Sequence, residues 1–327
     1  MQFKGNTDEG SARYWDDLAE VYQKETRIST NDFHYGPLLP GDSTLQLLPN
    51  IGPELLRKCF SYSRKEATSK GAAKTNTKSF QGLEKNMPAG SSGLPLPLVT
   101  ASPQSVKAPL ASLRVQCLEI GSGAGQNSIF LAKQGAECVA IDISKEQLAH
   151  GRKLTEAENV KVDFQCVSMD AMGDLGKFDL IHSTYALPFS VDPAKVISEA
   201  ASMLKPGGTF LLTTGHPLYA GEWLEVGDDE DGVFLPDYFQ PEPDVRMALD
   251  DGAISAARYW PISQLAEWIH EAGLVIERFL EPAPMPIPDM SEKEILGKVP
   301  YDSADWRTLY PQLARIPVVV IFKCRKA

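Results

Sequence analysis

The segment Leu118-Glu-Ile-Gly-Ser-Gly-Ala-Gly-Gln126 decides the fold of this chain, because an apolar strand runs into a helix there. Glycines allow the backbone to turn sharply and let a ligand approach more closely than a Cβ would permit. The helix that follows presents unpaired N–H groups at its N-terminus. The segment therefore predicts a strand, a ligand-binding turn and a helix, in that order.

The spacing of the glycines distinguishes this turn from a dinucleotide-binding fingerprint. The pattern G-x-G-x-x-G requires a third glycine where this chain has Gln126. Here Gly121, Gly123 and Gly125 alternate with other residues, and the acidic Glu119 lies two positions before the first glycine. This combination resembles motif I, E/D-x-G-x-G-x-G, of the class I S-adenosylmethionine-dependent methyltransferases, of a bacterial small-molecule type.

Strands and helices alternate along the chain from Leu113 onward. Strands that are apolar on both faces and separated by helices indicate a parallel sheet covered on both sides. We expect an α/β fold, a doubly wound, seven-stranded, mostly parallel sheet of the Rossmann-like methyltransferase kind. The predicted strands cover 115–120, 137–142, 162–167, 178–183, 208–214, 274–281 and 317–324, and the predicted helices cover 126–134, 145–156, 193–204 and 262–272.

Three regions surround or interrupt this alternation. Residues 1–56 are predicted to be an N-terminal helical cap, because apolar side chains from Tyr14 to Tyr22 fall at helical spacing. Residues 57–112 are rich in Lys, Ser, Gly and Pro without periodicity, and are predicted to be a disordered basic linker, either solvated or in contact with an anionic partner. The methyltransferase domain is predicted to span 113–327.

An insertion follows the fifth strand, at 216–254. Between Glu222 and Asp251 it holds eleven acidic residues and one Arg, with four aromatic residues among them. Two interpretations stay open, a solvated excursion and a wall of the substrate pocket. If its carboxylates face the pocket, they favour a cationic or neutral acceptor.

Composition limits the remaining possibilities. The 327 residues carry a formal charge of -11, which argues against coating nucleic acid, since such proteins neutralise phosphates with Lys and Arg. No apolar run approaches the roughly 20 residues that span a bilayer, and the first residues lack the apolar segment of a signal peptide. We expect a cytoplasmic protein without a membrane partner.

The cysteines lie within the predicted strands. Cys117, Cys138, Cys166 and Cys324 are expected to be buried strand residues rather than disulfide or metal ligands.

The resemblance implies S-adenosylmethionine as cofactor and no metal. Asp142 ends the second strand about 20 residues past the glycine turn, where its carboxylate can accept hydrogen bonds from both ribose hydroxyls. The resemblance also implies that Asp170 accepts from the adenine amino group and that the next backbone N–H, of Ala171, reaches the ring. The predicted cofactor-binding residues are Glu119, Gly121, Ser122, Gly123, Gln126, Asp142, Ile143, Gln147, Met169, Asp170, Ala171, Ser183, Tyr14 and Tyr22.

Three residues are candidates for catalysis or for positioning the acceptor. His216 follows the fifth strand and is the first choice for a base, with a loop histidine bonded to backbone as the alternative. Tyr185 follows the fourth strand, and His34 lies in the cap. His182 is predicted to be a core histidine, because it lies within a strand.

The acceptor is expected to be a small organic molecule, methylated on oxygen or nitrogen. The sequence after the fourth strand is Ser183-Thr-Tyr-Ala186, unlike the Asn-Pro-Pro-Tyr type of base amino methyltransferases, and no Pro-Cys nucleophile is present. A cofactor-binding regulatory protein without catalysis and a nicotinamide-dependent oxidoreductase are the alternatives. A monomer or a homodimer is expected.

Overall fold

The strands and helices fall close to their predicted positions. The computed structural model describes residues 8–49, 114–227, 230–247, 254–286, 301 and 304–327, and the predicted linker at 57–112 lies outside them. The strands in this part of the chain are β1 Gln116–Ile120, β2 Glu137–Asp142, β3 Asp163–Cys166, β4 Phe178–Thr184, β5 Leu204–Gly215, β6 Glu222–Glu225, β7 Asp231–Phe234, β8 Asp244–Met247, β9 Ile254–Ala257, β10 Leu274–Leu280 and β11 Val319–Lys326. The helices are α1 Asp8–Thr26, α2 Asp42–Leu45, α3 Gln126–Lys133, α4 Lys145–Glu158, α5 Pro193–Met203, α6 Ile262–Glu271 and α7 Ala304–Leu313.

Seven of these strands form one sheet in the order β10-β11-β5-β4-β1-β2-β3. The pairs β1–β2, β2–β3, β1–β4 and β4–β5 are parallel, and β11 is antiparallel to both of its neighbours. The strand order reverses between β1 and β4, and ligands of doubly wound sheets bind in the crevice at such a switch point. The predicted doubly wound, mostly parallel sheet is confirmed.

The sheet buries both of its faces, as the apolar strands predict. Leu118 packs in one core with α5 and α6, and the adjacent Cys117 packs in the other, because neighbouring strand residues point to opposite faces. The N-terminal segment supplies part of the second core, where Phe33, Tyr35 and Leu47 are fully buried. Part of the predicted cap therefore covers one face of the sheet.

Two features depart from the sequence prediction or were absent from it. Cys166 is exposed, while Cys117, Cys138 and Cys324 are buried as expected; Cys166 ends the edge strand β3, which has a neighbour on one side only. The acidic insertion forms two antiparallel pairs, β6–β7 and β8–β9.

Among the described helices, none has the length and apolar character needed to span a bilayer.

Candidate functional site

A cavity of about 380 Å³ lies at the carboxyl ends of β1, β2 and β4, beside the switch point of the sheet. It is lined by the glycine turn, by the ends of neighbouring strands, by one face of α1 and by part of the insertion. The predicted residues that line it are Glu119, Gly121, Ser122, Gly123, Gln126, Asp142, Ile143, Gln147, Met169, Asp170, Tyr22, Tyr185 and His34.

The glycine turn takes a conformation that side chains would disturb. Gly121 and Gly123 have φ angles of 66° and 55°, in the left-handed region that glycine adopts without strain. A Cβ on Gly121 would lie 2.2 Å from the Cβ of Ala186, in the loop after β4. A Cβ on Gly123 would meet only the Gln147 side chain, at 3.9 Å, so the turn is open on its cavity side.

Asp142 is fixed by backbone amides at the end of β2. Its Oδ2 accepts from Gly123 N at 2.7 Å, and its Oδ1 accepts from Ser144 N at 2.9 Å. Burial raises the pKa of this carboxyl, and hydrogen bonds from Ser144 and Gly123 oppose that effect. Each carboxylate oxygen accepts more than one hydrogen bond, so Asp142 keeps capacity for ligand hydroxyls.

Glu119 lies deeper, beneath the same turn. Its Oε2 accepts from the N–H and the hydroxyl of Ser128, at 2.9 and 2.5 Å, on the first turns of α3. Burial raises the pKa of Glu119 to about 7, although the Ser128 hydrogen bonds favour the ionised form. The carboxyl thus ties β1 to α3 while it lines the cavity.

Asp170 and Ala171 differ in their relation to the cavity. Asp170 lines it, and its oxygens also accept from Ser190 Oγ at 2.6 Å and from Asp192 N at 3.1 Å, which fixes the loop after β4. The Ala171 N–H instead donates to the Ser168 carbonyl within a short 3₁₀ turn, at 3.1 Å, and the residue is exposed. The structure therefore does not present the Ala171 N–H to a ligand.

Helix α1 covers the cavity through polar contacts with the methyltransferase fold. Gln23 donates to Gln147 Oε1 at 2.8 Å and accepts from Gln126 Nε2 at 2.7 Å, so one side chain joins α1 to both α3 and α4. Asp16 accepts from Ser144 Oγ at 2.6 Å and from Glu146 N at 3.1 Å, at the start of α4. These contacts hold α1 over the predicted cofactor residues.

Aromatic side chains form the other end of the cavity. Tyr22 and Tyr301 share a hydrogen bond of 2.9 Å between their hydroxyls, and Tyr219 stacks on Trp306 with ring centroids 6.2 Å apart. The Tyr185 hydroxyl is buried without a hydrogen-bond partner in the described part of the chain. A ligand hydroxyl or carbonyl here would find a donor or acceptor.

His34 faces this end of the cavity and is held by its backbone. Asn127 accepts from His34 N at 2.9 Å and donates to His34 O at 3.0 Å. Burial lowers the pKa of His34 to about 4, so the imidazole is neutral at pH 7. Its Nδ1 has no hydrogen-bond partner within the described ranges.

His216, Tyr14 and Ser183 are not among the residues that line the cavity. His216 Nδ1 accepts from Leu218 N at 3.1 Å and Nε2 bonds Glu281 at 2.9 Å, as the loop-histidine alternative predicts. Trp15 on α1 lines the cavity, and the side chain of the adjacent Tyr14 leaves the helix about 100° away from it, so Tyr14 does not line the cavity. Ser183 donates to the Ile120 carbonyl at 3.0 Å. His182 is fully buried in the core, as predicted.

Several lining residues were not found by sequence reasoning. Phe189, Arg246, Tyr301 and Trp306 line the cavity from three separate parts of the chain. Only Arg246 carried a signal, as the one basic residue of the acidic insertion. The insertion contributes Tyr219 and Arg246 to the lining, which favours the pocket-wall interpretation, but none of its carboxylates is among the described lining residues.

The side chains at the glycine turn fit S-adenosylmethionine. The open space over Gly123 admits a close backbone approach, and the half-buried Asp142 carboxylate lies beside it at the end of β2. Carboxylate oxygens accept from hydroxyl and amino groups, both of which this cofactor carries. Glu119, Asp142 and Asp170 are thus the acidic residues that would hold it.

Comparison with known proteins places the chain in a family. A family model described as a methyltransferase domain matches residues 118–212. The ubiquinone biosynthesis O-methyltransferase of Xanthomonas euvesicatoria pv. vesicatoria (strain 85-10) is 30% identical over 175 residues, 53% of this chain and 67% of that protein. The enzyme of the same name from Coxiella burnetii (strain Dugway 5J108-111) is 30% identical over 159 residues, 48% of this chain and 62% of that protein.

Among solved structures, an S-adenosylmethionine dependent methyltransferase from Mesorhizobium loti is 21% identical, with a TM-score of 0.49, over 65% of this chain and 91% of that one. The identity of 30% over two thirds of the Xanthomonas enzyme is the decisive match, and the residues matched by the family model contain the glycine turn described above. The chain therefore belongs to the class I S-adenosylmethionine-dependent methyltransferases.

Proposed function

We propose that this methyltransferase acts on a small organic acceptor bound at the aromatic end of the cavity. The observation that carries the proposal is that one cavity joins the glycine turn to Tyr185, Tyr219 and Trp306. Its volume of about 380 Å³ falls within the range of roughly 300–1,000 Å³ typical of small-molecule sites. A cavity of this size under α1 favours a small molecule over a nucleic-acid strand.

Oxygen is the acceptor atom that we favour over nitrogen. The relatives from Xanthomonas and Coxiella are named O-methyltransferases. The aromatic end also offers neutral hydrogen-bonding groups, Tyr185 and His34, which suit a hydroxyl group.

The cofactor, when bound, supplies a methyl group on a positively charged sulfur, which is open to in-line displacement. The protein's own task is then to align the acceptor and to exclude water. Helix α1 serves both ends, because Gln23 fixes it over the cofactor residues while Trp15 and Tyr22 line the cavity.

We assign His34 and Tyr185 to positioning the acceptor oxygen. A base with a pKa of about 4 is a weak proton acceptor at neutral pH, but a neutral imidazole nitrogen can accept a hydrogen bond from the acceptor hydroxyl. The Tyr185 hydroxyl, on another residue that lines the cavity, can donate to the same oxygen. A buried hydroxyl without a partner costs free energy, and a ligand hydrogen bond would relieve it.

Incubation with deuterium-methyl-labelled S-adenosylmethionine and a metabolite extract tests the proposal, with mass spectrometry as readout. We expect a labelled small molecule from the wild-type protein and about a 2- to 10-fold slower transfer from Tyr185→Phe, which loses one neutral hydrogen bond. Cofactor binding without any labelled product would favour the regulatory alternative. An Arg315→Gln variant is the matched control, because Arg315 lies outside the cavity lining.

A further inference from the structure

One cation lies at the acceptor end of the cavity. Among the described residues that line it, Arg246 on β8 is the only Lys or Arg. The described lining also holds acidic residues: Glu119, Asp142 and Asp170 lie at the cofactor end, and Asp8 and Glu25 lie on α1. Arg246 is therefore a single positive group in an otherwise acidic lining, and it comes from the acidic insertion.

Arg246 is fixed on three sides by other side chains. Its Nε and Nη2 donate to one oxygen of Asp244, at 2.9 and 2.8 Å, and Nη2 lies 3.3 Å from the Tyr259 hydroxyl. Its Cζ lies 5.3 Å from the centre of the Phe189 ring. A guanidinium held in this way has lost much of its conformational freedom before any ligand binds.

The pairing with Asp244 leaves the cation available to a ligand. Both contacts with Asp244 use the edge of the guanidinium formed by Nε and Nη2, and the second Nη2 hydrogen faces the Tyr259 hydroxyl. The Nη1 N–H groups lie outside these contacts and can donate to a carboxylate oxygen. The Asp244 side chain is 47% exposed, so water screens its charge.

The positive charge acts on the phenols around it. Burial raises the pKa of Tyr14, Tyr219 and Tyr259, and the Arg246 charge opposes this shift in each case. An anionic group of a ligand at the same place would be stabilised by the same charge.

We propose that Arg246 binds a carboxylate on the methyl acceptor, so that the substrates of this site are small organic acids. This inference rests on the proposed function, since it concerns the acceptor of the same reaction. A cationic or neutral acceptor is expected only if the carboxylates of the insertion face the cavity. Among the described residues that condition is not met, because Arg246 of the insertion lines the cavity and none of its carboxylates does. Arg246 is then a specificity-determining residue.

The test compares Arg246→Gln with Arg246→Lys and with Arg315→Gln as the matched control. Arg315 also pairs with an aspartate, Asp231, and lies over an aromatic ring, Trp223, but it is not a lining residue. Calorimetry with S-adenosylhomocysteine should give the same dissociation constant for all four proteins, which shows that each variant is folded with its cofactor site intact.

The acceptor is identified from the labelled extract, and its neutral carboxamide is prepared as the second substrate. We expect an ionised carboxylate on the acceptor. Arg246→Gln should raise KM for the acid about 10- to 100-fold, the range expected for a charged hydrogen bond, and should leave KM for the amide unchanged. Arg246→Lys should fall between, and Arg315→Gln should match the wild type.

The outcomes separate the two proposals. If the wild-type protein binds cofactor but labels no small molecule, the proposed function fails and the inference falls with it. If the labelled acceptor has no carboxylate, only the inference fails. Equal losses for acid and amide in Arg246→Gln would also overturn it, because they would assign Arg246 a structural role.

Discussion

Replacing Asp142 by Ala tests how the methyltransferase holds its cofactor. The half-buried carboxylate lies at the end of β2 and is oriented by hydrogen bonds from Gly123 N at 2.7 Å and Ser144 N at 2.9 Å. Because both amides fix the same group, we expect its remaining acceptor positions to face the ribose hydroxyls. The substitution removes these ligand bonds and leaves the two amides without their partner.

The expected magnitude follows from these contacts. Two hydrogen bonds to a charged group contribute about 1.5–3 kcal/mol each, so the dissociation constant of S-adenosylhomocysteine should rise about 10²- to 10⁴-fold. Each of the two amides that loses its partner should also lower the free energy of unfolding, by about 1–3 kcal/mol if it stays buried. The loss is smaller if water reaches the amide.

Calorimetry with S-adenosylhomocysteine measures the first effect, and urea unfolding measures the second. Asp163→Ala is the matched control, since Asp163 is exposed on the neighbouring strand β3 and does not line the cavity. Asp142→Asn should keep the shape but place an amide group against one of the two N–H donors, so it should also weaken binding. A dissociation constant within threefold of the wild type for Asp142→Ala would refute the assignment and leave Asp142 as a turn residue only.

Three other perturbations have defined outcomes. Gln23→Ala removes two hydrogen bonds between α1 and the fold, so S-adenosylhomocysteine should dissociate about tenfold faster in stopped flow; an unchanged rate would show that α1 closes without them. Burial raises the pKa of Glu119 from 4.5 to about 7, so the unfolded chain loses this proton at lower pH than the folded protein does. The free energy of unfolding of the ligand-free protein should therefore fall by about 3 kcal/mol as the pH rises from 4.5 to 7. Glu119→Gln should abolish that fall in urea unfolding. An unaltered pH profile in that variant would contradict the burial argument. His216→Ala should lower the melting temperature but keep turnover within threefold, because Leu218 and Glu281 occupy both ring nitrogens; a 10²-fold loss of turnover would restore it as a base.

The local pattern of the chain was sufficient for the sheet and for the cofactor end of the site. Alternating apolar strands and helices predicted the seven-stranded sheet, because both periodicities are properties of neighbouring residues. The glycine turn and Asp142 could be placed together because the carboxyl ends of adjacent parallel strands meet at one edge. Each of these inferences needed only a strand and the turn after it.

The acceptor end depended on contacts between residues far apart in the chain. Gln23 meets Gln147 across 124 positions, and no short pattern records that pairing. His216 directly follows β5, as expected of a base, yet its ring nitrogens bond Leu218 and Glu281, and it is not among the lining residues. The sequence left open whether the acidic insertion is a solvated excursion or a pocket wall, and it is the contacts of Arg246 with Phe189 and Tyr259 that bring the one arginine of the insertion to the cavity. The sequence alone determined where the backbone turns, because turns depend on adjacent residues; only the tertiary structure decided which side chains reach the cavity, because that depends on how distant segments pack.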